Sequence, residues 1–537
     1  MKRKLKMFPA FILVAGIMLA GVAGITSADE DQVTSLTYAE TSNGNIMGYC
    51  ENGVHTFWGI PYAKATRFHM PENPDAWDGY KVCFLQGEVC PQNKTTMEAI
   101  HFMAEAAEMV ENEDKMLNLN IWTTSLEEEK DLKPVIVWIH GGGYSTGSSY
   151  EKTMYDGANL AKYGDVVFVS VNHRLNVLGY LDLSAYGDEY LYSGNLGIAD
   201  LAFSLEWIQD NISNFGGDPN NVTLIGNSGG GSKITTLMSM PTAQGLFHKA
   251  VILSGGAAQI TQTTEDTQAK AAEVLDKLNI TSENIKDIET IDYSTLYAAY
   301  NEAGYVAGPT VDGDYIPTGT FEISKDIPLL TCNVLGELST NAGAIIFMNG
   351  SREMIESNDI SKMTEESVKE KLTEKYGDAE LASQIIEAYK TAYPGHNVGE
   401  VLYINNRITG MSVMPICEAM ESYGGTSYTA IQAASYPAFN GIVSIHTSGD
   451  MPLWFRTVDE ISTWVSGETS KFETLSDQMS NALLAFVRTG NPSTESLTWE
   501  PWTSETDAIM VFDNTNGVTS SMRYHHEDEL FTLIPTE

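Results

Sequence analysis

Asn221-Val222-Thr223-Leu224-Ile225-Gly226-Asn227-Ser228-Gly229-Gly230-Gly231 is the stretch that decides how this chain reads. Asn221 to Ile225 is apolar and β-branched, which is the signature of a strand covered on both faces of a parallel sheet. Ser232 to Met240 reads as a helix. Between them stands a G-x-S-x-G pattern, so Ser228 falls on a sharp turn from strand to helix. Glycines permit the strained turn and let the helix pack close to the strand. The serine hydroxyl then sits at the carboxyl end of the sheet, near the positive end of a helix. Alone, the pattern is weak, because a glycine-rich turn produces it by accident.

The surrounding pattern supports a large α/β unit. Val135 to Ile139, Val166 to Val171, Val222 to Ile225 and Ala250 to Ser254 are short apolar runs separated by helical segments such as Leu201 to Ile212. Buried strands alternating with helices imply a mostly parallel central sheet flanked by helices. Residues 33 to 125 read instead as short alternating strands and turns. Residues 260 to 300 and 351 to 392 are helix-rich and charged, and read as insertions over the C-terminal edge of the sheet. Pro328 to Val334 and Tyr428 to Gln432 are later strand candidates, and Ser476 to Val487 a helix. No long linker, repeat or low-complexity tract divides the chain, so residues 29–537 are expected to form one catalytic domain.

The first 28 residues read as a secretory signal. Lys2, Arg3, Lys4 and Lys6 precede the apolar run Phe8 to Ile25, and Thr26-Ser27-Ala28 offers small residues for cleavage. An uncleaved membrane anchor is the rival reading, because the run approaches spanning length. No later segment does, so the exported chain is expected to be soluble. The formal net charge of −40 disfavours nucleic acid and anionic membranes as partners. The cysteine count of five is odd, so at least one thiol stays unpaired within the chain. Cys83 and Cys90 are close enough to pair; five buried free thiols are the alternative. No zinc-ligand spacing or phosphate-binding loop occurs, so no metal and no cofactor are expected.

A serine that transfers acyl groups needs a base, a group that orients the base, and donors for the oxyanion. His140-Gly141-Gly142-Gly143-Tyr144 follows directly on the strand Val135 to Ile139, so the backbone amides of its glycines can point into a cavity. With the amide of Gly229, they form the expected oxyanion hole. Among histidines after Ser228, His248 reads as a packing or capping residue, and His525 and His526 as solvated. His446 follows the run Gly441 to Ile445 and precedes the apolar wall Asp450 to Phe455, which selects it as base. Glu337 lies just past the strand Pro328 to Val334, at the sheet end where site residues gather. Asp312 competes for that role, but an Asp-Gly turn accounts for it.

These residues resemble the type B carboxylesterases, which have the α/β-hydrolase fold and include the cholinesterases and bacterial ester-cleaving enzymes. Phe57-Trp58-Gly59-Ile60-Pro61-Tyr62-Ala63, Leu119-Asn120-Ile121-Trp122, Asn172-His173-Arg174-Leu175 and Gly194-Asn195-Leu196-Gly197 match the family's motifs. So does the block from Asn211-Ile212 through Phe215-Gly216-Gly217-Asp218-Pro219 into the serine turn. The resemblance implies Ser228, Glu337 and His446 as catalytic triad, with the amides of Gly142, Gly143 and Gly229 as oxyanion donors. It implies hydrolysis of a small-molecule carboxylic ester through an acyl-enzyme, without cofactor. The alternatives are lipase, thioesterase or amidase action at the same site, or a non-catalytic binding module.

The chain departs from the family pattern in several places. Asn227 replaces the usual Glu, Gly229 the usual Ala, and Cys332 and Leu338 stand where glycine and another residue are usual. The spacing from His446 to Asp450 is one residue longer. Met116 occupies the position of Cys90's usual disulfide partner, and the aromatic residue that binds a choline head group has no match.

Overall fold

The structure, a computed structural model, describes residues 34–93, 106–126, 131–337, 359–404, 412–438 and 449–535. His446, Leu338 and residues 1–28, the stretch expected to be a secretory signal, lie outside them. Five strands come first: β1 (Ser35–Thr41), β2 (Gly44–Glu51), β3 (Val54–Pro61), β4 (Tyr80–Val82) and β5 (Asn118–Thr123). The central strands are β6 (Lys133–Ile139), β7 (Val167–Val171), β8 (Gly217–Asn227) and β9 (Lys249–Leu253). β10 (Leu329–Val334), β11 (Ser427–Gln432), β12 (Ala508–Phe512) and β13 (Ser521–Tyr524) complete the sheet.

All belong to one sheet in the order β1-β2-β3-β5-β7-β6-β8-β9-β10-β11-β12-β13, with β4 on β2. From β7 to β12 every pairing is parallel, and antiparallel strands close both flanks. The expected mostly parallel sheet is therefore present, and the strands β1 to β5 form a flank that is antiparallel except where β4 joins β2 in parallel.

Alternation along the central strands explains why their sequence is apolar throughout. Val135, Val137 and Ile139 face one core with Val222, Leu224, Ala250 and Ile252. Ile136, Trp138, Ile225, Val251 and Leu253 face the other. The helix that follows the serine (Gly229–Met238) closes the first core through Ile234, Leu237 and Met238. The long helix Thr469–Thr489 closes the second through Leu475, Met479, Leu483 and Val487. Each such side chain withdrawn from water contributes about 1.5–3 kcal/mol. Strands buried on both faces lose the polar–apolar alternation of a half-exposed sheet.

The helices within residues 260 to 300 are Thr264–Lys277 and Tyr293–Glu302. They stand beside the end of the sheet that carries the serine: Tyr293 Oη donates to the Pro91 carbonyl, and Thr267 Oγ1 to Asp182. The described part of the second insertion, helices Glu365–Tyr376 and Ala379–Ala392, shares a buried cluster with Ile431, Ile509 and Val511 and so covers the flank at β11 and β12.

All five cysteines are free thiols, and Cys50 is half-buried rather than buried. The pairing of Cys83 with Cys90 does not form: Cys90 is engaged instead with Leu175, whose N–H approaches its Sγ at 3.3 Å. No helix of the described residues is long and apolar enough to cross a membrane.

Candidate active site

β8 runs two residues further than its apolar core and delivers Ser228 at its carboxyl end. Ser228 takes φ 53° and ψ −121°, a conformation that costs a non-glycine residue on the order of 1–3 kcal/mol. Three backbone hydrogen bonds hold it there. Its N–H donates to Leu253 O on β9 at 2.8 Å, and its carbonyl accepts from Gly231 N at 2.9 Å and Ser232 N at 3.3 Å. The helix begins immediately, at Gly229, three residues before the expected Ser232, because the three glycines are themselves helical. The side chain of Ser228 stays half-exposed at the positive end of this helix.

The loop after β6 lies against this turn. Gly142 and Gly143 have φ +83° and +61°, in the left-handed region that favours glycine. Gly229 packs directly on Gly143: a Cβ at Gly229 would lie 2.4 Å from Gly143 Cα and O. A Cβ at Gly141 would lie 3.5 Å from Ser228 Cβ. The structure therefore brings Ser228 and Gly229 against the backbone of Gly141 and Gly143, in the loop that also holds Gly142, at one end of the sheet. Among these, Gly229 is the residue where the usual alanine of the family has no room.

Glu337 follows β10 by three residues and is fully buried. Its Oε1 accepts from Asn333 Nδ2 at 2.9 Å and from the backbone N–H of Val334 at 3.0 Å. Asn333 is fastened in turn by Val413 N, which donates to its Oδ1 at 3.1 Å. β10 is two strands from β8, so strand spacing puts the two sites roughly 10 Å apart at their backbones, a gap an imidazole can bridge. The expected base, His446, lies outside the described residues, and so the bridge itself carries no geometry.

Asp450 is legible in the sequence only as part of a pocket wall, yet it is a buried carboxyl within electrostatic reach of Glu337. Burial pushes it up to about 7. The indole of Trp454, donating to its Oδ2 at 2.9 Å, pulls the other way, and the charge of Glu337 adds to the rise. Its Oδ1 has no hydrogen-bond partner among the described residues. An aspartate preceding Met-Pro-Leu-Trp-Phe carries no sequence signal of such a neighbour, because the neighbour comes from another strand.

The other candidates are placed elsewhere. His248 accepts from Val222 N through its Nδ1 at 3.2 Å and so satisfies a backbone donor midway along β8. Asp312 accepts from the N–H groups of Asp314 and Ile316, as a turn aspartate does. His525 is exposed, whereas His526 is half-buried against the ring of Tyr393. His396, which no motif singles out, is wholly buried between Glu400 (2.8 Å) and Asp513 (3.0 Å). That arrangement ties the segment of His396 and Glu400 to Asp513, just past β12, away from Ser228. Asp507, His525 and Asp528 approach one another closely enough to hold a cation, but His525 and Asp528 are exposed and already paired.

Residues 35–530 match the model of the carboxylesterase family. The chain belongs to that family. The para-nitrobenzyl esterase of Bacillus subtilis is 29% identical over 511 residues, covering 91% of this chain and 98% of that protein. The acylcarnitine hydrolase of Rattus norvegicus is 26% identical over 531 residues, covering 92% and 90%. Among solved structures, an esterase of Clostridium hathewayi described as hydrolysing aliphatic aromatic polyesters superposes with a TM-score of 0.82 at 32% identity, over 94% of this chain and 99% of that one. The carboxylesterase of Geobacillus stearothermophilus gives 0.69 at 28% identity, over 92% and 99%.

This carboxylesterase thus has the α/β-hydrolase fold, and it is a carboxylic ester hydrolase of the serine-esterase type. The Arg174 that follows the family-like Asn172-His173 is buried in a bidentate pair with Asp200, Nε to Oδ2 at 2.8 Å and Nη2 to Oδ1 at 2.6 Å. Its Nη1 also donates to His69 O at 2.7 Å. In this carboxylesterase the motif is therefore a structural clamp joining the loop between β3 and β4 to the helix Leu196–Asn211.

Proposed function

We propose that the ester is cleaved by a Ser228–His446–Glu337 triad through an acyl-enzyme, with the amides of Gly142, Gly143 and Gly229 receiving the oxyanion. The observation that carries this reading is the strained Ser228 turn facing the left-handed glycines of the loop after β6. His446 takes the proton of Ser228 Oγ as the oxygen attacks the ester carbonyl. The tetrahedral oxygen gathers charge where the amides wait. Collapse breaks the ester C–O bond, and the imidazolium gives its proton to the departing alcohol. Water then repeats the sequence on the acyl-enzyme, releasing the acid and freeing Ser228. Glu337, held by Asn333 and Val334, orients the imidazole and stabilises its cation. Asp450, four residues past His446, lies within electrostatic reach of Glu337, which supports the choice of that histidine.

The substrate class is carboxylic esters, and the likeness to the Clostridium hathewayi esterase extends it to aliphatic aromatic polyesters. The chain is further proposed to leave the cell after cleavage of residues 1–28, which the N-terminal sequence of the protein in the culture medium tests. A fluorophosphonate should label Ser228 and no other serine, and Ser228→Ala should lose roughly 10⁴-fold or more in kcat. Near-normal turnover in that variant would remove Ser228 from the role. A chain-length series of p-nitrophenyl esters, an anilide and a polyester film then distinguish esterase, amidase and polyester hydrolysis.

A further inference from the structure

Lys233 is fully buried, in the helix that starts at the nucleophile, and its Nζ donates to the carbonyl of His140 at 3.0 Å. This is an unfavourable place for an ammonium. It lies near the positive end of a helix, where cations are disfavoured, and inside the protein, where an unpaired charge is costly. A short apolar or hydroxyl side chain would pack there without that penalty. What the position offers is contact with His140, the first residue after β6 and the one that leads into Gly141, Gly142 and Gly143.

The surroundings are built around this cation. Glu151 is buried nearby, and its Oε1 has no hydrogen-bond partner among the described residues. Burial pushes its carboxyl up to about 7, while the charges of Lys152 and Lys233 pull it down. Burial likewise brings Lys233 down to about 7, against the pull of Glu151. The rings of His140 and His173 stack at 4.9 Å, and burial, with Lys233 adding to it, holds both well below the ordinary histidine range. Both rings are therefore neutral at pH 7. Tyr155 also feels the charge of Glu151, and burial, with Glu151 and Asp450 adding to it, keeps that phenol protonated.

We propose that Lys233 is a positioning residue for the oxyanion hole: its ammonium, seated on the His140 carbonyl, fixes the peptide that enters the Gly142–Gly143 loop and places a buried positive charge behind the oxyanion. This rests on the site proposed above. An amide that must meet a transient charge gains from a preset position, and a fixed cation nearby strengthens the stabilisation without reorganising. Glu151 supplies the counter-charge that holds the Lys233 proton up to a pH of about 7.

The test is Lys233→Met, which keeps the side chain's length and removes its charge, with Glu151→Gln beside it. For Lys233→Met, kcat on p-nitrophenyl butyrate should fall on the order of 10- to 100-fold, less than the 10²–10³ of removing an oxyanion donor itself. KM should hold within about threefold, because the ground-state ester does not use the oxyanion charge. Binding of a trifluoromethyl ketone, whose hemiketal oxygen mimics the oxyanion, should weaken in proportion to kcat/KM. In Glu151→Gln the alkaline limb of kcat should move to lower pH, because Lys233 loses its proton sooner. A folded Lys233→Met with wild-type kcat and inhibitor affinity overturns the proposal. If that variant does not fold, an unmoved alkaline limb in Glu151→Gln overturns it instead. Fluorophosphonate labelling keeps the two readings apart. Failure to label Ser228 in the parent protein removes the triad, whereas labelled Ser228 with an indifferent Lys233 removes only this role.

Discussion

Gly229→Ala restores the residue usual in the family and should nonetheless impair this enzyme. An ideal Cβ at position 229 meets Gly143 Cα and O at 2.4 Å and Gly143 N at 2.5 Å, all backbone atoms. Ordinary carbon contacts begin near 3.5 Å, so Gly143 must retreat by about 1 Å. Donors act on the oxyanion at roughly 2.7–3.1 Å, and a displacement of that size removes one of them. The expected loss is about 10²-fold or more in kcat, equivalent to about 2.7–4 kcal/mol of transition-state stabilisation. Stability should change far less. Alanine in a helix gains about 0.5–1 kcal/mol over glycine, which offsets part of an overpacking cost of about 1–3 kcal/mol. Steady-state kinetics on p-nitrophenyl butyrate, with a thermal melt alongside, reads both effects. A variant with wild-type kcat and KM would refute the argument that the approach of Gly143 to Gly229 sets the oxyanion geometry.

Three further outcomes follow from buried groups. Asp200→Ala should destabilise the fold by about 3–5 kcal/mol in a denaturant titration, because it strands the buried Arg174 guanidinium; a loss below 1 kcal/mol contradicts the clamp. Burial alone would lower His396, but Asp513 and Glu400 outweigh it and raise it to about 9. The imidazolium therefore stabilises the native state fully below pH 6.5 and loses that contribution as pH rises through about 9. The melting temperature should fall over that window, and His396→Gln should flatten the decline; an equal decline in both proteins counts against it. Burial raises the thiols of Cys83 to about 12 and Cys417 to about 11, and raises Cys90 further. Ellman's reagent at pH 8 should therefore reach only half-buried Cys50 in the native protein and all five thiols in guanidinium. Two or more reactive thiols before denaturation would contradict this burial.

Local sequence carried the parts of this protein that depend on short-range physics. Apolar β-branched runs such as Val135 to Ile139 read as strands covered on both faces, and Gly226 to Gly230, set between such a run and a helical segment, reads as a sharp turn. The element edges were less legible. The helix after Ser228 starts at Gly229 because tertiary packing overrides glycine's weak helix propensity. The G-x-S-x-G pattern after a strand nominated Ser228, and a place just past a strand in the order Ser, Glu, His nominated Glu337.

What sequence could not decide were the meetings between segments far apart in the chain. His396 with Asp513, Arg174 with Asp200, Asp450 with Glu337 and Lys233 with Glu151 have no local pattern. Each depends on which strands became neighbours in the sheet. The absence of the Cys83–Cys90 bridge is of the same kind, since proximity in sequence does not place two thiols face to face. Periodicity along a chain records which side of an element is dry. Which groups share that dry space, and so which charges are raised, lowered or paired, is decided only when the elements pack.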